Sequence, residues 1–219
     1  MDKQKQKTNK ERILIAITTN RSVVPTFFMQ SMIELMYATK KVYPNTEIVT
    51  LGATDISSMR NFACKMAVLK KFDYLYMVDD DMQYPNDSII KLMKHKKPIV
   101  VGAANTRIPP YPPTQFKKVM LKGINTTENR VQALGEDLIK IEATGLCGAL
   151  IKTNIFKKLK YPYFYMKYHD DMGITGEDII FCNQLKKTKI PIYLDPTIIY
   201  GHLAKGFVVS QTGTKMLQC

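Results

Sequence analysis

Asp79, Asp80 and Asp81 stand side by side at the end of an apolar run, YLYMVDDDMQYP (74–85). Two like charges about 4 Å apart repel by about 1 kcal/mol in water and about 4 kcal/mol near a protein surface. A triplet at the mouth of a hydrophobic strand therefore needs basic side chains, protonation or a bound cation beside it. In extended backbone the side chains alternate, so Asp79 and Asp81 are expected to project together while Asp80 points away. Two convergent carboxylates suit Mg²⁺ or Mn²⁺, hard cations that bridge protein carboxylates to substrate phosphates. Acidic residues also favour helix N-termini, but a helix opening after Pro85 explains Asn86 or Asp87 better than a triplet lying before it.

TGEDIIF (175–181) is a second acidic cluster. Thr175 and Asp178 have capping-box spacing, which accounts for part of it. Capping alone does not require Glu177, and a carboxylate at a helix start beside a cleft also suits a general base for an attacking hydroxyl. His202, in YGHLAKG, follows an apolar strand and reads either as a structural histidine or as a ligand. Arg60 and Asn61, in SSMRNFA, either reach phosphates from a helix start or belong to a solvated polar face. Gly145 and Gly148, in TGLCGALI, either let a substrate approach the backbone or mark a bulge.

These residues need elements to position them. RILIAITTN reads as a first strand and its loop, FFMQSMIELMYATKK as a helix opened by Pro25, and TEIVTLG as a second strand. SSMRNFACKMAVLKK is a second helix with Ser57 or Ser58 available as cap. DYLYMV is a third strand, YPNDSIIKLMKHKK a helix and PIVVGAA a fourth strand. Such β-α alternation predicts a parallel, doubly wound sheet, whose ligands bind beyond the carboxyl ends of the strands. The second half differs. RIPPYPPTQF is an extended proline-rich loop; VMLKG, RVQAL and LIKIEAT read as short antiparallel strands, and ATGLCGALIK as a strand broken by its glycines. TNIFKKL is a short helix, TGEDIIFCNQLKK a longer one, and PIYLDP and IIYGH are two closing strands. The expected organisation is a basic disordered tail at 1–10, one domain over 11–203 and a C-terminal tail at 204–219.

Composition sets bounds. A chain of 219 residues, 45% hydrophobic and 23% charged, is an ordinary globular domain with enough length for a sizeable core. No apolar run approaches a bilayer span and no leader pattern is visible, so a cytoplasmic location is expected. Cys64, Cys147, Cys182 and Cys219 are scattered and form no CxxC pair, which argues against a zinc site or a disulfide framework. The net charge of +13 fits an anionic partner such as nucleic acid or a membrane surface, and equally fits a lysine-rich chain from AT-rich coding.

The order of these motifs resembles the metal-dependent GT-A glycosyltransferases, particularly small family 2-like enzymes, over roughly residues 12–203. VDDDM looks like their DxD motif, GEDIIF like the ED motif before the acceptor-side helix, and GH like their late metal-binding histidine. The resemblance implies a GT-A (Rossmann-like), mainly parallel central sheet flanked by helices, with a small antiparallel acceptor-side subsheet. Residues 11–105 would form the nucleotide-binding half and 106–203 the acceptor half. Asp81 would bind Mn²⁺ or Mg²⁺ with His202 completing the site, and Asp79 and Asp80 would contact metal, ribose or donor sugar. Arg60 and the Thr18–Thr19 loop would lie near the nucleotide, and Asp178, beside Glu177, would be the base if the reaction inverts. The implied donor is a nucleotide sugar. The acceptor is open among nucleic acid, glycan, lipid and protein.

Three other classes compete. A metal-dependent nuclease or other phosphoryl-transfer enzyme shares the acidic cluster but not the order of elements, and no Walker A sequence is present. Sugar nucleotidyltransferases would need a glycine-rich, Arg- and Lys-bearing stretch after the first strand, which ITTNRSVVP does not supply. A basic nucleic-acid-binding protein explains the charge and leaves the aspartates without a purpose.

Overall fold

The computed structural model describes residues 9–52, 55–118, 129–170, 173–204 and 207–216. The chain runs β1 (Ile13–Thr18), α1 (Thr26–Val42), β2 (Thr46–Leu51), α2 (Ile56–Leu69), β3 (Tyr74–Asp79), β4 (Met82–Gln83), α3 (Ser88–Lys94) and β5 (Ile99–Ala103). It continues with β6 (Ile139–Ile141), β7 (Ala149–Lys152), a 3₁₀ helix (Thr153–Lys158), β8 (Lys167–His169), β9 (Gly173–Thr175) and α4 (Glu177–Lys187). It closes with β10 (Ile192–Ile199), β11 (Gly201–Leu203), β12 (Phe207–Ser210) and β13 (Gly213–Met216).

Seven strands form the central sheet in the order β2-β1-β3-β7-β5-β10-β6. β2, β1, β3, β5 and β10 run in one direction, while β7 and β6 run against them. The expected α/β class is observed: a mainly parallel sheet between helices, with a smaller antiparallel sheet, β13-β12-β11-β4, at its side.

Alternation along the strands builds two cores. Ile13, Ile15 and Ile17 face Phe28, Met32 and Leu35 of α1 and Ile89 and Leu92 of α3. Leu14 and Ala16 face the other way, toward Met59, Ala63 and Ala67 of α2 and Leu185 of α4. Both faces of β1 are thus covered, and all six of its residues are buried, as befits a central strand of a parallel sheet.

Three features bring the chemistry-bearing residues to one rim. The parallel register of β1 and β3 sets Thr18 level with Asp79. The antiparallel pairing of β11 with β4 sets His202 opposite Met82, the residue after Asp81. β7, entering from the opposite direction, starts at this rim and carries Gly145–Gly148 in its approach.

Several local expectations change. α2 is capped by Asp55, whose carboxylate accepts from the Ser58 amide at 2.8 Å, not by Ser57 or Ser58. The Thr175–Asp178 capping box does not form: Gly176 occupies the cap position, and Thr175 Oγ1 instead meets His169 Nε2 at 3.0 Å. RVQAL is not a strand; Arg130 makes an isolated bridge to Phe116. VMLKG and most of the 1–10 tail lie outside the described residues, although Asn9 donates to the Val42 carbonyl at 3.3 Å. PIYLDP and IIYGH are largely one strand, β10, which slips register against β5 between Asp195 and Ile199, around Pro196. The segment after residue 203, expected as a tail, forms the β12–β13 hairpin and pairs on β11. Its strands lack a core-facing repeat because one small sheet, not the central core, receives them. Cys64, Cys147 and Cys182 are free buried thiols, and Cys219 lies outside the described residues. Among the described residues no helix is long and apolar enough to cross a membrane.

Candidate active site

The rim encloses a cleft of about 580 Å³ whose lining includes Thr18, Thr19, Arg60, all three aspartates of the triplet, Gly145, Glu177, Asp178 and His202. It sits where a parallel sheet places its ligands, beyond the carboxyl ends of β1 and β3.

The triplet does not follow strand alternation, because β3 ends at Asp79 and the chain turns through residues 80 and 81 before β4. The three carboxylates consequently take three directions. Asp79 receives a two-pronged bond from Arg60 Nη2, at 2.9 and 3.2 Å, and also accepts from Thr18 Oγ1 at 3.2 Å. Asp80 accepts from Thr19 Oγ1 and lies 3.7 Å from Arg21 Nε. Asp81 meets Arg107 Nη1 at 2.9 Å, Arg21 Nη2 at 3.5 Å and His202 Nε2 at 3.5 Å.

Arginine is thus the first answer to the crowding of negative charge. Arg60 is buried and bridges the two acidic motifs, donating to Glu177 Oε1 at 2.6 Å as well as to Asp79. Burial works against its charge, but Asp79, Glu177 and Asp178 outweigh that, and the guanidinium is held above its ordinary pKa. Its Nε has no acceptor among the described residues. In all, six carboxyl groups, Asp55, Asp79, Asp80, Asp81, Glu177 and Asp178, line the cleft with three arginines, Arg21, Arg60 and Arg107, so acids outnumber arginines by three.

His202 is oriented by its other nitrogen. Nδ1 lies 2.7 Å from the Asn105 carbonyl and donates to it, which turns Nε2 toward Asp81. Burial works against the charged ring, but Asp81 and the Asn105 carbonyl outweigh it and raise the imidazole above its ordinary pKa, so that without a cation Nε2 carries a proton toward the carboxylate. A backbone carbonyl holding one ring nitrogen while the other faces outward is the usual support of a metal-ligating histidine. Burial raises the Asp81 carboxyl, but His202, Arg107 and Arg21 reverse the effect and keep it below its usual value. An imidazole nitrogen and an adjacent ionised carboxylate form a donor set that fits Mn²⁺ or Mg²⁺, with the remaining positions left for phosphate oxygens and water. Asp79, expected as a third ligand, is clamped by Arg60 instead. Among the described residues no three His, Cys, Asp or Glu side chains gather at one point.

Asp178 sits at the start of α4, with Oδ1 accepting from the Ile179 amide at 2.7 Å. It keeps some solvent access at the cleft floor, but protein surrounds it on most sides. Desolvation, then the charge of Glu177, push its carboxyl up to about 6, against the pull of Arg60. Gly145 borders it: a Cβ there would lie 3.6 Å from Thr114 Cβ and 3.9 Å from Asp178 Oδ2, ordinary van der Waals contact. A carboxyl that titrates near neutrality in a cleft is suited to accept a proton.

Two expected site residues point elsewhere. Asn61 faces the loop after the 3₁₀ helix: Oδ1 accepts from the Tyr163 and Phe164 amides at 2.9 and 3.2 Å, and Nδ2 donates to the Phe164 carbonyl at 2.7 Å. Gly148 is absent from the cleft lining. It adopts φ +74°, and a Cβ would fall 2.3 Å from the Tyr200 ring, so its bareness serves packing under the sheet. Conversely, Arg21, Arg107 and Met166 were not expected here. Arg21 and Arg107 lie in irregular loops, one after β1 and one in the proline-rich stretch. A basic residue a few positions past a strand end was the available signal.

No protein-family model matches the sequence, and no curated protein matches it either. Among solved structures, A197 from STIV superposes with a TM-score of 0.62 over 95% of each chain at 18% identity. UDP-glucose pyrophosphorylase complexed with UDP-glucose gives 0.47 over 85% of this chain and 90% of that one, at 8% identity. A 4-diphosphocytidyl-2C-methyl-D-erythritol synthase gives 0.44 over 84% and 89%, at 10% identity. The chain shares the fold of A197, and the likeness is one of fold.

Proposed function

We propose that the protein is a nucleotide-sugar-dependent glycosyltransferase. The observation that carries this reading is a division of labour within one cleft. Asp81 and His202 form a cation-suited pair, and Asp178, tuned to about 6, lines the same cleft from the start of α4. The excess of carboxylates over arginines fits a cleft completed by a divalent cation and its nucleotide.

Asp81 and His202 would hold Mn²⁺ or Mg²⁺, which when bound supplies neutralisation of charge on a diphosphate leaving group. Thr18, Thr19 and Arg60, which line the same cleft, would face the nucleotide. Asp178 would take the proton of the acceptor hydroxyl as its oxygen bonds to the anomeric carbon. The bond from that carbon to the diphosphate breaks, and the nucleoside diphosphate departs with the electron pair. Glu177, paired with Arg60, fixes the guanidinium and reinforces the rise in the Asp178 pKa.

The test is to incubate the protein with UDP-, GDP- and dTDP-sugars and Mn²⁺ and to follow nucleoside diphosphate release. Release from one donor, absent in Asp178→Asn, supports glycosyl transfer. Consumption of a nucleoside triphosphate with a sugar phosphate, yielding pyrophosphate, would assign the site to nucleotidyl transfer instead.

A further inference from the structure

A second cavity, of about 560 Å³, opens beside the loop that Asn61 anchors. Its lining sets Tyr161, Pro162 and Tyr165 among Lys158, Lys160 and Lys187. Tyr161 and Tyr165 are 48% and 40% exposed, a large aromatic area to leave against water. All three lysines are exposed, and among the described residues none of them is paired with a carboxylate, whereas the adjacent Lys186 holds Glu142 at 2.8 Å. Lys65 adds a further positive charge, its ammonium 3.9 Å above the Tyr161 ring.

The platform is held in place before anything binds. Asn61 fixes residues 163 and 164 from below, and Gln184 Nε2 donates to the Pro162 and Tyr163 carbonyls at 3.2 and 3.0 Å. Such preorganisation lowers the ordering cost of binding. The chemistry asked for is a flat ring carried on an anionic chain. A lipid surface would engage protruding apolar side chains, and here the rings line a concavity with the cations around it. A duplex hides its ring faces. The net charge of +13 favours encounter with a polyanion.

We propose that this cavity binds single-stranded nucleic acid, one base resting against Tyr161, Pro162 and Tyr165 and the flanking phosphates meeting Lys158, Lys160 and Lys187. Aromatic platforms beside basic side chains bind single strands in this way. Met166, next after Tyr165, lines the cleft that contains Asp178, so a strand lying along residues 161–166 would be led toward that carboxylate. Its role as acceptor rests on the glycosyltransferase reading; the binding site itself does not.

The test is fluorescence anisotropy of a short labelled oligo(dT) strand at several salt concentrations. Duplex DNA and heparin serve as competitors, and phosphatidylserine vesicles as a separate ligand. The single strand is expected to bind more tightly than the duplex. Tyr165→Ala should weaken it about 5- to 150-fold, and K158E/K160E/K187E should abolish binding and its salt dependence. Unchanged affinity in either variant overturns the proposal. So does heparin competition indifferent to Tyr165, or binding of vesicles without oligonucleotide. A charge-reversed variant still stabilised by metal and nucleoside diphosphate is folded, so its loss of oligonucleotide supports the cavity. Wild-type protein that binds oligonucleotide through Tyr165 but gains no stability from nucleotide supports the cavity and sinks only the transfer reading.

Discussion

Asp178 is the residue on which chemistry and stability pull in opposite directions. Its carboxyl is raised to about 6, so the folded protein holds that proton more tightly than the unfolded chain does. Its contribution to stability is therefore full below the ordinary carboxylate pKa and is lost as pH rises through about 6. At neutral pH the ionised group is a liability of about 1–2 kcal/mol, after discounting for the solvent it still touches. Asp178→Asn keeps the acceptor oxygen for the Ile179 amide and removes the charge. The variant is expected to melt about 2–6 °C higher than wild type at neutral pH in calorimetry, with the gain vanishing in acid. Its transfer rate should fall about 10²- to 10⁴-fold. The wild-type rate should itself decline as pH drops below about 6, following protonation of the same group. A flat pH–rate profile across that range would remove Asp178 from the role of base. Gly148 makes a purely structural prediction. With φ at +74° and the Tyr200 ring where a Cβ would go, Gly148→Ala should cost about 2–4 kcal/mol in urea unfolding.

At the scale of elements, the positioning devices are pairings and anchors. β4 and β11 are only two and three residues long, yet their pairing carries His202 to Asp81. Asn61 ties α2 to the aromatic loop with three hydrogen bonds. Asn61→Ala should destabilise the fold by roughly 2–3 kcal/mol. Because the loop leads to Met166 in the cleft lining, on what the proposed function makes the acceptor side, the acceptor KM is expected to rise while the dissociation constant of the nucleotide holds. A loss confined to nucleotide affinity would return Asn61 to the donor end. The β-α alternation of the first half was legible because each strand is a near-continuous apolar run and each helix has an apolar face against it. The acidic triplet, the ED pair and His202 were legible as residue types. Their directions were not, because a turn after Asp79 replaces the alternation that an extended strand would impose. Arg21 and Arg107 escaped because loops carry no periodicity, and the pairing of Arg60 with Glu177 was out of reach because it spans 117 positions. The β12–β13 hairpin escaped because it packs mainly on a small side sheet, so its pattern lacks a core-facing repeat.

For the molecule as a whole, the fold is a frame that delivers two opposed charge patterns to two neighbouring places. Within the cleft, carboxylates outnumber arginines, although the chain as a whole carries a net charge of +13. The lysines stand outside, around the aromatic cavity and over the rest of the surface. A cleft that is acidic in a basic protein is suited to a cation carrying an anionic ligand, as the proposed function requires. The central claim is therefore that a divalent cation and a nucleoside diphosphate bind together at Asp81 and His202. It is tested most directly by thermal denaturation with UDP, GDP, CDP and dTDP, each in Mn²⁺, Mg²⁺ or EDTA. A nucleotide at about 100 times its dissociation constant adds about 2.7 kcal/mol, or roughly 5–10 °C for a domain of this size. The expected result is such a rise for one nucleotide, present with metal, absent in EDTA, and lost in both Asp81→Ala and His202→Ala. Stabilisation that is equal in EDTA, or none for any nucleotide under any metal, would contradict it.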